Sequence, residues 1–320
     1  MITKRKAVFL SGFFAMLAIV LLLLMHLRPS QNEENSCTFF AMDTVMSVRA
    51  VGASDAVLEE CISDIVHLDS LISVTDENSE IAALNRTGAA QLSEETEALL
   101  KYAIDMCENT SGVLDITLYP IVRAWGFTTG DYRVPENDEL QKMLDKVDFR
   151  QVVLNDSGYA RLPDGVMVDL GSVAKGYASD YIAGKLQKAG VRTALIDLGG
   201  NLYCLGNNPE GHDWKIGLRD PFGDEYFGIL SVNNCAVVTS GCYERYFDAE
   251  DGKRYGHIFD PTTGYPVSGD LLSVTVVGKS GLLCDALSTA LFVMGQEQAA
   301  AYLAPVSYTH LRAHETSAHL

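Results

Sequence analysis

The chain has 320 residues, 42 acidic against 24 basic, and a formal charge of −18. That balance leaves no basic stripe for a nucleic-acid backbone, which excludes such a partner; an anionic small ligand would need a metal, a lysine or helix N-termini. Seven cysteines with no CxxC pair exclude a disulfide framework and a zinc ribbon, and read as small buried apolar residues with room for one bridge.

Residues 1–30 stand apart. Lys4, Arg5 and Lys6 precede an apolar run from Ala7 to Leu27, uncharged until Arg28. The run is long enough to span a bilayer, and the basic cluster sets the N-terminus in the cytoplasm with the body beyond the membrane. A cleaved signal peptide is the rival reading; the length of the run and the lack of a small-x-small site favour an uncleaved anchor.

From Thr38 the sequence alternates as one strand, FFAMDTVMSVRAVG, ending at Gly52. A helix follows from Ser54, with Leu58, Cys61, Ile65 and Leu68 at helical spacing. Ser79 to Leu84 is a short helical piece, and Ser93 caps a helix reaching about Asn109. Pro120 and GFTTGDYRVPEND mark a loop, then Asp138 to Lys146 reads as helix. QVVLN and YARLP meet at Asp156-Ser157-Gly158 as a hairpin. GVMVDLG reads as an apolar strand opening into the helix SVAKGYASDYIAGKLQKAG. VRTALIDLGGNLYCLG is strand, double-glycine turn, strand. WKIGLRDP, GILSVNN, CAVVTSG and LLSVTVVGK continue the strands, and a helix runs from DALSTALFVMG through QEQAAAYLA. Helices early and late with strands between predict an α+β fold, one compact domain over residues 37–304. Residues 305–320 break the pattern. VSYTHLRAHET reads as a transposon-type sequencing adapter translated in frame, in preference to a His-rich metal tail, so no role is given to His310, His314 or His319.

Three segments carry chemistry. In VMVDLGSVAKGY, Asp169 closes the strand, Gly171 turns into the helix near Ser172, and Lys175 lies one turn along, a cradle suited to an anion. The segment fits neither the P-loop nor GxGxxG. Asp285 and Thr289, four apart on one helical face, offer hard oxygens of the kind magnesium prefers. His257 precedes the turn Asp260-Pro261-Thr262-Thr263-Gly264 and is placed to act as a base near neutral pH. Taken singly, each also reads as ordinary structure: a capping serine with a solvated lysine, a charge at a helix start with Thr289 bonding back to a carbonyl, a histidine holding a loop.

Together, AMDTVMSV, SEIAALNR, LDITLYPIVRAWGF, VDLGSVAKGYASD, ALIDLGGNL, GHIFDPTTGYPV and DALSTALFVMG resemble, in order and spacing, the FAD:protein FMN transferases, the ApbE-type flavin transferase family. The resemblance implies a single ApbE-like domain of mixed or antiparallel sheet with flanking helices. It implies magnesium-dependent transfer of FMN from FAD to a Ser or Thr hydroxyl of an acceptor protein, with release of AMP. It assigns FAD contacts to Met42, Asp115, Ile116, Thr117, Asp169, Lys175 and Ile258, metal oxygens to Ser172, Asp285 and Thr289, and the base to His257. Its members are typically exported, membrane-attached bacterial proteins, with acceptors among flavoprotein subunits of membrane redox complexes. Two departures stand out: Met42-Asp43-Thr44 where Met-Gly-Thr is usual, and Thr75 where an aromatic ring often precedes SEI, leaving Tyr119 and Trp125 as candidates to stack on the flavin. The alternatives are a metal-dependent FAD pyrophosphatase yielding FMN and AMP, and a non-enzymatic flavin-binding protein of the cell envelope.

Overall fold

Alternation from Thr38 does make strand, but two strands rather than one: β1 (Glu34–Ala41) and β2 (Thr44–Val51) pair antiparallel from Glu34↔Val51 to Ala41↔Thr44. Met42 and Asp43 form the turn with φ of 47° and 58°, the left-handed geometry of a two-residue hairpin loop. Neither residue is a glycine, so the usual turn signal is missing from the sequence. The computed structural model describes residues 33–304, apart from 222, 224 and 251. The expected membrane anchor at 1–30 and the tail at 305–320 therefore lie outside the described residues, within which no helix is long and apolar enough to cross a membrane.

Three serines open helices as their positions predict. Ser54, Ser79 and Ser93 each accept from a backbone N–H three residues on and start α1 (Asp55–Ile72), α2 (Glu80–Thr87) and α3 (Glu94–Asn109). The short strand β3 (Ala89–Gln91) lies between α2 and α3. Pro120 sits in the first turn of a short helix, α4 (Tyr119–Ala124), where its missing N–H costs nothing. A loop then leads to α5 (Asn137–Leu144). β4 (Val153–Leu154) and β5 (Tyr159–Arg161) form the expected hairpin, with β3 on the other side of β5.

The run Val166–Leu170, expected as a strand, pairs with no strand. The Asn85 side chain takes the place of a neighbour: its Nδ2 donates to the Val168 carbonyl at 2.8 Å and its Oδ1 accepts from the Val168 N–H at 2.7 Å. The Asp169 N–H donates to the Ile116 carbonyl at 2.9 Å. The segment is extended and apolar without a ladder.

Next come α6 (Gly171–Lys188), β6 (Thr193–Leu198), β7 (Asn201–Leu205), β8 (Trp214–Arg219), β9 (Tyr226–Val232) and β10 (Cys235–Gly241). A small hairpin not foreseen from sequence, β11 (Tyr246–Asp248) with β12 (Arg254–Gly256), precedes β13 (Ser273–Gly278) and α7 (Gly281–Leu303). Six strands form one sheet in the order β1-β2-β6-β7-β10-β13, every neighbouring pair antiparallel. The sheet is antiparallel rather than mixed.

One face of the sheet carries the main core. α6 and α7 pack side by side against it, α6 over β6 and β7, α7 over β10 and β13, while α1 covers β1. The β8–β9 hairpin closes the other face of the central strands through Trp214, Ile216 and Val232 against Cys204, Cys235 and Val237. A third cluster, with Ile121, Trp125, Phe127, Leu140 and Phe259 at its centre, joins α4 and α5 to the segment after β12. The α+β architecture is as expected.

Candidate functional site

A cleft of 840 Å³ lies where α6, α7, the β1–β2 turn and the segment after β12 converge, within the range of small-molecule and cofactor sites. Met42, Asp115, Ile116, Asp169, Ser172, Lys175, His257, Ile258, Asp285 and Thr289 all line it. Residues more than two hundred positions apart thus share one wall. Thr117 does not line it. It is 1 % exposed, and its Oγ1 and N–H both donate to Asp115 Oδ1, at 2.6 and 2.8 Å, which starts a 3-10 turn over Ile116–Leu118. Asp115 Oδ2 accepts from the Phe149 N–H at 3.1 Å, so this carboxylate braces the cleft wall from behind. Burial raises its pKa, and these hydrogen bonds oppose the rise.

The start of α6 differs from the expected serine cap. Leu170 holds the cap position without a side-chain bond, and Asp169 Oδ1 accepts the Gly171 N–H at 2.8 Å. Burial raises the Asp169 pKa; the Gly171 N–H and the Lys175 and Arg245 charges pull it down, and Asp43 adds to the rise. Lys175 faces four anionic or ionisable partners across the cleft, since its charge acts on Asp169, Glu244, His257 and Asp285 alike.

Asp285 is not a charge at a helix start. Ser280 caps α7, Asp180 accepts the Gly281 and Leu282 N–H groups at 2.6 and 3.1 Å, and Asp285 lies a turn inside, 5 % exposed. Its Oδ2 accepts the Gly176 N–H at 2.8 Å. That bond requires α6 and α7 to touch backbone to backbone. A Cβ on Gly176 would stand 2.3 Å from the Gly281 carbonyl oxygen and 2.6 Å from Asp285 Cβ, so only glycine fits. Burial pushes the Asp285 pKa up, opposed by the Lys175 charge, the Gly176 N–H and the Asn201 amide.

Beside Asp285 stands a cluster of neutral oxygens. Ser240 Oγ, on β10, lies 2.8 Å from Ser288 Oγ and 3.3 Å from Thr289 Oγ1. Asn201, on β7, is 2 % exposed, and neither Nδ2 nor Oδ1 makes a hydrogen bond of regular geometry. An amide left so costs roughly 1–3 kcal/mol per unmade group, which a bound polar ligand would recover. Among the described residues no three His, Cys, Asp or Glu side chains converge on one point. One carboxylate amid hydroxyl and amide oxygens is the donor set that suits Mg2+, which keeps waters and substrate phosphates as its other ligands. The residues present fit that ion.

His257, also in the cleft wall, is half-buried and lies against the Arg245 carbonyl, to which Nδ1 donates at 3.2 Å. A carbonyl only accepts, so this contact puts the proton on Nδ1 and leaves the Nε2 lone pair free. Enclosure by the cleft walls pushes the His257 pKa down from 6.5 to about 4; the Arg245 carbonyl opposes this, and the Arg245 and Lys175 charges add to it. Of the two rings proposed to stack on a ligand, Tyr119 lines the cleft and donates its hydroxyl to the Val74 carbonyl at 3.1 Å. Trp125 does not line it: it is fully buried, ringed by Phe247, Tyr255, Phe259 and Tyr265, and its Nε1 donates to the Gly264 carbonyl at 2.9 Å. Phe127 and Phe259 reach the cleft instead.

Sequence reasoning also missed Asn201, Ser240, Glu244 and Arg245. Asn201 has a local signal, since it follows the Gly199-Gly200 turn (φ 67° and 88°) that joins β6 to β7. Ser240, Glu244 and Arg245 have none; they arrive because β10 ends at the cleft.

The family model described as "ApbE family" matches residues 42–312. The chain belongs to the ApbE family. It is 35% identical over 279 residues to an FAD:protein FMN transferase of Treponema pallidum, covering 81% of this chain and 77% of that protein. An FAD:protein FMN transferase of Vibrio cholerae is 32% identical over 76% of this chain and 73% of its own length. Among solved ApbE structures, that of Thermotoga maritima superposes with a TM-score of 0.76 at 34% identity, over 83% of this chain and 88% of that one. The flavin transferase ApbE of Vibrio cholerae gives 0.76 at 28%, over 85% and 90%. The family match spans every site residue above.

Proposed function

We propose that the protein is an FAD:protein FMN transferase that moves FMN from FAD to a Ser or Thr hydroxyl of an acceptor flavoprotein and releases AMP. The observation that carries this reading is the pairing, in one cleft, of a neutral histidine with an open Nε2 and a carboxylate–hydroxyl cluster suited to a cation. The acceptor oxygen forms a bond to the FMN phosphorus, the bridging P–O bond to AMP breaks, and the hydroxyl proton passes to His257 Nε2. His257 is fixed for this by its Nδ1 contact and is neutral at pH 7 because its pKa lies well below. Lys175 supplies a positive charge beside the diphosphate, and Asp169 accepts hydrogen bonds from the nucleotide. Asp285 and Thr289, with Ser172 at the helix start, would hold Mg2+, which neutralises charge on the diphosphate oxygens. Phe127, Phe259 and Tyr119 give apolar walls to the flavin, with Met42 and Ile258 completing its surround.

Incubating the full chain with FAD, Mg2+ and a peptide bearing an acceptor Ser or Thr tests the proposal by intact mass. A covalent FMN adduct with stoichiometric AMP is the expected result. Free FMN and AMP without adduct would make the protein a pyrophosphatase, and FAD retained without turnover would make it a binding protein. We further propose that the catalytic body lies outside a bacterial cell membrane, held by residues 1–30, on the strength of Lys4, Arg5 and Lys6 before the apolar run. Protease treatment of intact spheroplasts should digest the body; full protection would refute that placement.

A further inference from the structure

Asn201 is the one residue among those described whose side-chain amide is buried with both polar atoms unpartnered. Its place is not an accident of a loose loop. It opens β7, paired to Leu198 of β6 on one side and Val238 of β10 on the other, so its backbone is fixed within the central sheet. The turn before it is braced as well: Asp197 Oδ1 accepts the Gly200 N–H at 2.9 Å, and Thr44 packs against Gly199. From this rigid base the side chain reaches the cleft beside Asp285, Thr289, Ser240 and Lys175. A fold that needed only to fill this space would place an apolar residue here, because an unsatisfied amide in a packed interior is a net loss.

The two ends of the amide are not equivalent. Nδ2 can only donate and Oδ1 can only accept, and neither has a partner of regular geometry. Oδ1 is a buried acceptor with no donor to meet it, on a residue that lines the cleft together with Asp285 and Thr289. A hard cation is the partner that suits a neutral amide oxygen standing next to a carboxylate and a threonine hydroxyl. Neutral oxygens complete such a shell without adding charge, which matters where a diphosphate supplies negative charge of its own.

We propose that Asn201 Oδ1 is a cation ligand, completing with Asp285 and Thr289 the set that holds the divalent ion of the diphosphate site. The proposal rests on the reading of this cleft as a cation–diphosphate site. It gives β7 a direct part in binding, alongside α7, and explains why a buried strand position keeps an amide at a cost to the empty protein.

The test is Mn2+ binding to the full chain, without nucleotide, followed by electron paramagnetic resonance, together with the thermal midpoint of the metal-free protein. Asn201→Ala and Asn201→Leu should each weaken Mn2+ binding at least tenfold. The Leu variant, which has the branching of Asn and no unsatisfied groups, should melt no lower than wild type without metal. Asn201→Asp, which keeps an oxygen in place, should retain Mn2+ binding at pH 7.5. Wild-type Mn2+ affinity in a folded Ala or Leu variant would overturn the proposal, as would loss of binding in a folded Asp variant, since the amide would then act only as a donor to Asp285. Should Ala and Leu fail to fold, the Asp variant alone decides between these outcomes. Failure of the wild-type chain itself to bind Mn2+ would instead sink the cation reading of the cleft, so the two failures are distinguishable.

Discussion

In one part of the cleft, Asp285, Thr289, Ser240 and Asn201 stand on long helices and central strands, held by backbone contact between α6 and α7. In another part, His257 follows a two-stranded hairpin at the surface, held by the Arg245 carbonyl and lying against the Phe127 ring. The first part centres on the buried Asp285 and Asn201; the second is half-buried, with an aromatic ring and the Arg245 and Lys175 charges around the imidazole. The division suits a two-substrate reaction: the nucleotide's charged centre needs fixed, dry ligands, while the base has to be reached by a hydroxyl arriving on another protein. Rigid framework thus lies under the proposed cation site, and lighter structure under the histidine that meets an exchanging partner.

That contrast can be broken from the rigid side first. Asp285→Ala removes the one buried carboxylate of the cation cluster and leaves the Gly176 N–H unpaired. We expect the Mg2+ response of the transfer rate to vanish and the rate to fall more than a hundredfold, the scale of about 3–5 kcal/mol for breaking a buried charged contact. An unchanged Mg2+ titration would reject the assignment. Gly176→Val forces a side chain into the Gly281 carbonyl. Overpacking of this kind costs about 1–3 kcal/mol, so the urea midpoint should drop clearly, whereas an unchanged midpoint would mean that the helices do not touch as described.

Smaller effects probe the lighter part. Trp125→Phe loses the bond to the Gly264 carbonyl, worth about 0.5–1.5 kcal/mol. It should lower stability by that order while leaving the FAD dissociation constant unchanged, because the ring faces the aromatic cluster and not the cleft. A marked loss of FAD affinity would restore Trp125 as a stacking residue. The smallest expected change is with pH. A base must be neutral to accept a proton, and His257 is held near 4, below the usual 6.5. The transfer rate at saturating substrates should therefore stay flat between about pH 6 and 8, its acid limb falling only as pH drops toward the lowered value. A limb centred at 6.5 would mean that the histidine stands in open water.

Much of this was legible because the signals were local. Ser54, Ser79 and Ser93 cap helices through a hydroxyl that sequence displays directly, and Asp285 with Thr289 share a face by helical spacing alone. What failed depended on distant partners. Met42 and Asp43 adopt a turn normally marked by glycine, so the sequence runs through the hairpin without a break in its alternation. Val166–Leu170 has strand composition, yet its neighbour is an asparagine side chain eighty-three residues away in sequence. Trp125 carried the composition of a stacking residue and went to a core set by the turn at Gly264. Glu244 and Arg245 entered the site only because a strand ends there, a placement that no local pattern encodes.

His257→Ala should separate holding FAD from transferring FMN, measured as FAD affinity by flavin fluorescence and as covalent adduct by intact mass on the same preparation. FAD affinity should stay within about twofold of wild type while adduct formation falls by roughly 10²–10⁴, the contribution of a positioned base. Adduct formation at the wild-type rate would contradict that role, because the cleft would then hold its histidine for structure alone.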